Sequence, residues 1–376
     1  MTPTPRPVFD ADQEMFRDQV RKFLQAEILP RHQAWEAQGQ VDRDAWVKAG
    51  EAGLLCPTVA EEDGGLGLDY RFSAVVIEEM SRVGASGPGF WIHSEMVAPY
   101  LQTFGSAAQR ARWLPRMVSG QAIGAVAMTE PEAGSDLRRI RTQARREGDQ
   151  WRVSGQKTFI SNGQMADVVI LAAKTEGERL SLFVVDASRP GFRRGRNLAK
   201  LGLHAQDTSE LFFDDMILPA DALLGDLGQG LSYLVKGLAR ERLSIALSCV
   251  AKAEFAFAET LAHCRNRMVF GQRLLDHQNT RFVLASVKTD LAVGRAYVDD
   301  QLRRYLDGGL DAETAAMAKL WTTEMLGRTV DACLQLHGGW GYMQEMPICR
   351  AFADARVERI AGGSSEVLRE IIGRTL

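Results

Sequence analysis

Twice along this chain the spacing of apolar residues changes its period, and each change demands a different layer of architecture. From Asp10 to about Gly120 the period is helical. It begins with DADQEMFRDQVRKFLQAEILP, where Phe16, Val20, Phe23, Leu24 and Ile28 share a face and Pro30 is expected to end the run. WVKAGEAGLLC, YRFSAVVIEEMSRVG, SEMVAPYLQTFG and SAAQRARWLPRMVSG continue it between Gly-rich breaks such as EEDGGLGLD. Beyond Gly120, AIGAVAMTE, WRVSGQKTFIS, DVVILAAKT, LSLFVVDA and ELFFDDMIL are short, β-branched or aromatic, and bounded by turn formers, which predicts strands. After LPADALLGDLGQG four helical runs return: Gly230 to about Met268, Gln278 to Leu306, Ala312 to Leu336, and Phe352 to the end. The expected fold is α+β in three domains: N-terminal helices over 1–120, a middle β domain over 121–222, and a C-terminal four-helix bundle over 223–376 large enough to form a subunit interface.

Composition narrows the function classes. With 376 residues and 45% hydrophobic content, two or three domains can each bury a core. The 45 basic residues are interspersed with 48 acidic ones, so no nucleic acid partner is expected. No run of about 18 apolar residues occurs, and MTPTPRPVFD lacks the apolar core of a secretory signal. No membrane partner and a cytoplasmic location are expected. Five cysteines without CxxC spacing and six histidines never spaced i, i+4 point to no disulfide framework and no metal site. There is no Gly-x-Gly-x-x-Gly or Walker-type loop, so any nucleotide cofactor must be held another way.

The stretch with the most chemical content is GLARERLSIALS, Gly237 to Ser248. At about 100° per residue, Glu241 shares a face with Leu234, Leu238 and Ile245, and Gly237, Ser244 and Ser248 fill the rest of that sector. An ionised carboxylate on a core face must find a partner, accept a raised pKa, or line a cavity that a ligand fills. Arg240 and Arg242 point to either side of it. Two readings stand: a base that takes a proton from an acyl substrate, or a Glu in a helix N-terminal turn bonded to a neighbouring Arg. Three other stretches have plain structural readings. AMTEPEAGSDL is a tight turn with exposed amides and hydroxyls, LHGGWGYMQE a helix C-cap, and GGSSEVLRE a helix start capped by Ser364 or Ser365.

Taken together, in order and separation, these stretches resemble the acyl-CoA dehydrogenase family over essentially the whole chain. FRDQVRKFLQAEILP, AEEDGGLG, GPGFWIHSEMVAPYLQTFG, QKTFISNG, KLGLHAQDTSELFFDDMILPADALLG, ERLSIA, MVFGQRLLDHQNTRFVLA and GGSSEVLREIIGR complete the pattern, which is most similar to the long-chain branch. The resemblance implies N-terminal helices, a β-barrel-like middle domain and a four-helix bundle, with FAD as cofactor in a homotetramer built as a dimer of dimers. It implies that Met128, Thr129, Gly134 and Ser135 bind the flavin ring and its linker, that Phe159, Ile160 and Ser161 lie against the ring, and that Ser364 and Glu366 also belong to the cofactor site. Arg267, Phe270, Gln278, Gln335, Gly338 and Gly339 of a neighbouring subunit would complete the adenine and pyrophosphate site. Glu132 stands where glycine is commoner, and Phe159 where tryptophan is usual.

The implied activity is oxidation of a medium- or long-chain acyl-CoA to trans-2-enoyl-CoA, with electrons passed to an electron-transfer flavoprotein. Many members carry the catalytic Glu where this chain has Gly362, whereas the long-chain and isovaleryl branches place it on the bundle helix, at Glu241 here. Gly362 would keep a role through its backbone N–H, as a donor to the thioester oxygen, and Ser135, Arg242 and Gly363 would contact substrate. Gly87, Pro88 and Gly89 with Phe90 and Trp91 resemble the long-chain type near the pocket, without setting the chain length. An oxygen-reactive oxidase or monooxygenase on the same scaffold, and a non-catalytic acyl-CoA binder, are the alternatives.

Overall fold

The computed structural model is described over residues 6–376, so the first five residues of MTPTPRPVFD lie outside the described residues. Seven helices come first: α1 (Ala11–Phe23), α2 (Leu29–Gln38), α3 (Arg43–Glu51), α4 (Tyr70–Arg82), α5 (Phe90–Ile92), α6 (Ala98–Phe104) and α7 (Ala107–Val118). Asp10 and Ser106 start α1 and α7 in reciprocal capping boxes with Gln13 and Gln109. Pro30 does not end the first run. A wide π turn over Leu24–Ile28 carries the chain into α2 with Pro30 in its first turn, where a missing N–H leaves no bond unmade. The same device recurs at His93–Val97, ahead of Pro99 in α6.

Eight strands follow: β1 (Gly124–Ala127), β2 (Gln143–Glu147), β3 (Gln150–Ser161), β4 (Val168–Lys174), β5 (Leu180–Asp186), β6 (Phe192–Asn197), β7 (Thr208–Pro219) and β8 (Leu223–Leu224). They form one sheet in the order β6-β7-β3-β2-β4-β5-β8, with β1 running parallel to β4. The Arg-rich strands β2 (QARRE) and β6 (FRRGRN) have no apolar pattern; pairing with β3 and β7 makes them strands. One side of the sheet packs Val126, Val168 and Ile170 among Leu101, Trp113 and Leu114 of α6 and α7. A second core gathers Trp151, Phe183, Phe213 and Leu218.

The bundle contains α8 (Gly230–Asn266), α9 (Gln278–Leu306) and α10 (Ala312–His337), with a small hairpin of β9 (Met268–Val269) and β10 (Gln272–Arg273) between the first two. Its fourth run is two helices rather than the one expected from Phe352 onward: α11 (Pro347–Ala355) and α12 (Ser365–Gly373). Gly362 and Gly363 separate them with φ of +65° and +93°, left-handed values that glycine takes at little cost and a right-handed helix cannot absorb. Among the described residues no helix is long and apolar enough to cross a membrane.

A buried charge cluster ties the first helices to the bundle. Glu78 on α4, with none of its side chain exposed, receives Arg6 at 2.6 Å, Arg17 at 3.1 Å and Arg295 of α9 at 2.6 Å. Burial alone would raise its carboxyl, but Arg295, Arg6 and Arg17 outweigh that and hold it well below the usual carboxylate range. Glu79 meets Arg17, Arg21 and Arg82, and Glu254 of α8 joins Arg82 to Arg295. In Glu78→Gln the three guanidinium groups would face a neutral amide in a dry site. We expect urea denaturation to show a loss of about 3–5 kcal/mol, the usual cost of removing one partner from a buried pair. Glu14→Gln, which removes an exposed partner of Arg17, should stay within about 0.5 kcal/mol of the parent.

Candidate active site

From Glu241 to Val250 every residue of α8 except Ser248 is buried, so a carboxyl in this stretch has little water to solvate it. Glu241 is 3% exposed. Gly237, one turn back, leaves room for it: a Cβ there would lie 3.3 Å from Oε1. Its partner is not an arginine. Tyr100 on α6 donates its hydroxyl to Oε1 at 3.1 Å. Burial raises the Glu241 pKa to about 7, with the Tyr100 hydrogen bond and the charge of Arg242 pulling the other way. A carboxyl balanced near neutrality is suited to taking a proton and giving it back.

The two flanking arginines diverge, as their spacing predicts. Arg240 pairs with the buried Glu95 at 2.9 Å and lies over the Tyr70 ring. Arg242 is also buried; it donates to the Ala312 carbonyl at 3.4 Å, while its Nε has no partner among the described residues. Over the same face of α8 sits the break between α11 and α12. A Cβ on Gly362 would meet Ile245 Cδ1 at 2.6 Å, so no carboxylate can stand at that position while Ile245 keeps its place. Neither the Gly362 nor the Gly363 N–H finds an acceptor among the described residues, whereas the Gly363 carbonyl accepts from Lys319 Nζ on α10 at 2.6 Å. A Cβ on Gly363 would lie 3.9 Å from Arg242 Nη2. Glu241, Arg242 and the Gly362–Gly363 turn therefore come together.

The turn after β1 is anchored from below. Lys157 on β3 is fully buried and gives Nζ to the Met128 carbonyl at 2.9 Å and to Glu130 Oε1 at 2.8 Å, and Glu130 also accepts from Thr142 Oγ1 at 2.6 Å. Burial lowers the Lys157 pKa to about 8 against the pull of Glu130. The Thr158 N–H donates to the Thr129 carbonyl at 2.9 Å. Between Lys157 and Ile160 the β3–β7 register slips, and this bulge turns Phe159 outward at φ +60° with 67% of it exposed, while Ile160 stays buried. Such a backbone costs about 1–3 kcal/mol and is a mark of functional sites. Met128, Thr129 and Ser161 are half-buried; Gly134 and Ser135 are exposed, with open space about Gly134. An outward aromatic ring beside a turn of amides and hydroxyls fits a flat flavin ring. Glu132 points away to Arg141 at 2.6 Å, so its departure from glycine does not fill the turn.

Arg267, Phe270, Gln278, Gln335, Gly338 and Gly339, at the ends of α8, α9 and α10, are all exposed. Phe270 is 94% exposed at the hairpin tip with φ +50°, and nothing lies within 4 Å of a Cβ on Gly338. Among the described residues this set shares no hydrogen bond with the Met128–Ser161 set. Ser364 caps α12 by accepting from the Val367 N–H, and Glu366 is exposed in the first turn, its carboxyl held low by its own backbone N–H and by Ser364. Tyr100, Lys319, Lys157 and Glu130 were missed in the sequence. Lys157 had a signal, because it shares the inward positions of an alternating strand with Trp151 and Val153. Lys319 had a weaker one, beside Ala315, Ala316 and Thr322 on a buried helix face.

Family models described as the N-terminal, middle and C-terminal domains of acyl-CoA dehydrogenase match residues 10–121, 125–216 and 228–376. The chain is 45% identical to the mitochondrial long-chain specific acyl-CoA dehydrogenase of Sus scrofa, covering 99% of this chain and 88% of that protein. It is 32% identical to the mitochondrial isovaleryl-CoA dehydrogenase of Oryza sativa subsp. japonica, over 98% and 92%. The crystal structure of an acyl-CoA dehydrogenase from Geobacillus kaustophilus, 43% identical, superimposes with a TM-score of 0.97 over 99% of both chains. With helices, sheet and bundle each matched in order, the chain belongs to the acyl-CoA dehydrogenase family.

Proposed function

We propose that the chain oxidises acyl-CoA thioesters between Cα and Cβ to trans-2-enoyl-CoA, with FAD as resident cofactor and Glu241 as the base. The observation that carries this reading is a carboxyl 3% exposed, raised to about 7, on the helix face beneath a turn whose N–H groups find no acceptor among the described residues. A thioester α-hydrogen is too weakly acidic for a carboxylate acting alone, so enolate-like charge must be met as the proton leaves. The Gly362 N–H supplies one donor for the thioester oxygen, worth about 3 kcal/mol. Tyr100 occupies Oε1 of Glu241, which leaves Oε2 to take the proton. Arg242 lies by the thioester or the pantetheine arm, where its unpaired Nε finds an acceptor. FAD, when bound, supplies the two-electron acceptor for the hydrogen that leaves Cβ.

Met128, Thr129, Gly134, Ser135 and the Phe159–Ser161 bulge hold the flavin end in this reading, with Ser364 and Glu366 beside it. Arg267, Phe270, Gln278, Gln335, Gly338 and Gly339 of a neighbouring copy hold the nucleotide end, which makes the homotetramer part of the proposal. An exposed Phe270 and a Gly338 with open space around it support that role. Medium- to long-chain substrates, an electron-transfer flavoprotein as acceptor and a cytoplasmic location belong to the same reading; the Sus scrofa and Oryza sativa relatives named above are mitochondrial.

Glu241→Gln should stay yellow and bind acyl-CoA while steady-state turnover falls by at least about 10²-fold, the lower end of general-base catalysis. Full turnover in that variant would put the base elsewhere. Since Glu241 acts ionised, kcat/KM should climb as pH rises through about 7 and level off above it. Tyr100→Phe removes a hydrogen bond that favours the ionised form, so the rising limb should move to higher pH. An unmoved limb would detach Tyr100 from the base.

A further inference from the structure

We infer that Lys319 is a positioning residue for this reaction: by gripping the Gly363 carbonyl it sets the Gly362–Gly363 turn so that the Gly362 N–H faces the thioester oxygen. The inference rests on the function proposed above and adds a residue to it. On either side of the two glycines the backbone is already anchored. The Ile360 and Ala361 N–H groups bond to the Val357 carbonyl, and Ser364 caps α12. Between those anchors both glycines are left-handed with N–H groups unpaired among the described residues, and glycine has the widest backbone freedom of any residue, so their orientation must be imposed from outside. The Lys319 hydrogen bond at 2.6 Å is the side-chain contact that imposes it among the described residues.

The surroundings of Lys319 argue that its ammonium is there for this contact. None of the side chain is exposed, and burial lowers its pKa to about 8, with Cys249 and Glu358 pulling it up and Arg242 down. An apolar side chain of equal length would fill the space without the desolvation cost. A Cβ on Gly362 would lie 3.6 Å from Lys319 Cε and 2.6 Å from Ile245 Cδ1. The space a Gly362 side chain would need is thus taken by Ile245, one turn beyond Glu241 on α8, and is bordered by the lysine stem. Lys319 in this way sets the spacing between the donor and the base.

The test compares Lys319→Met, Lys319→Gln and Lys319→Arg with the wild-type FAD-loaded protein, using an aryl-conjugated 2-enoyl-CoA whose near-ultraviolet band moves to the red when its thioester carbonyl is polarised. In wild type the bound probe should shift red. In Lys319→Met, with flavin content unchanged, the shift should vanish, and kcat for a saturated acyl-CoA should fall about 10²-fold, the lower end of the cost of one lost oxyanion donor, with KM little changed. Lys319→Arg keeps a donor of sufficient reach and should recover the shift; Lys319→Gln is too short and should not. A red shift in Lys319→Met equal to wild type overturns the inference, and should that variant not fold, an equal shift in Lys319→Gln does so. A wild-type protein that binds the probe without shifting its band overturns instead the placing of the thioester at Gly362.

Discussion

Exclusion of water from one carboxyl is the constraint on which the rest of the site depends. Glu241 rises to about 7 because α8 is buried around it, and that burial is supplied by segments far apart in the chain. The N-terminal helices bring Tyr100, and the turn before the last helix brings Gly362 over Ile245. Remove either layer and the carboxyl returns to water and to its ordinary acidity.

Two buried glutamates show how the same burial serves opposite ends. Glu78 faces three arginines, so its charge is locked in place and its carboxyl stays well below the usual range. Glu241 has one neutral hydroxyl and an arginine that contributes only through its charge, so desolvation prevails and its proton becomes exchangeable near neutrality. The first arrangement joins α4 to α9 and, through Glu254, to α8; the second leaves, on the helix so held, a carboxyl raised to about 7. Pairing decides whether a buried acid is structure or reagent.

A similar economy appears in the middle domain. The turn at Met128–Ser135 is not stiff by composition, yet the buried Lys157 and Glu130 pin it from beneath, as Lys319 pins the Gly362–Gly363 turn from the bundle. In both places a lysine without exposure grips a backbone carbonyl at the base of a turn. A flexible loop thereby gains the precision of the helix or strand behind it.

The sequence by itself determined the helix–sheet–helix order and the inward face of Glu241, because both are written in local periodicity. Tertiary structure decided what periodicity cannot carry. Strands β2 and β6, rich in arginine and with one core-facing apolar residue each, Ala144 and Phe192, exist through their partners, and Pro30 is passed by a π turn. The last helical run breaks at two glycines whose left-handed φ values a right-handed helix cannot absorb. Tyr100 meets Glu241 across 141 positions, and Lys319 meets Gly363 across 44. Spacing along a helix or strand tells which way a side chain points, but its partner is chosen only when distant segments pack and shut out water. That is why the carboxyl could be found from the sequence while the groups that tune and face it could not.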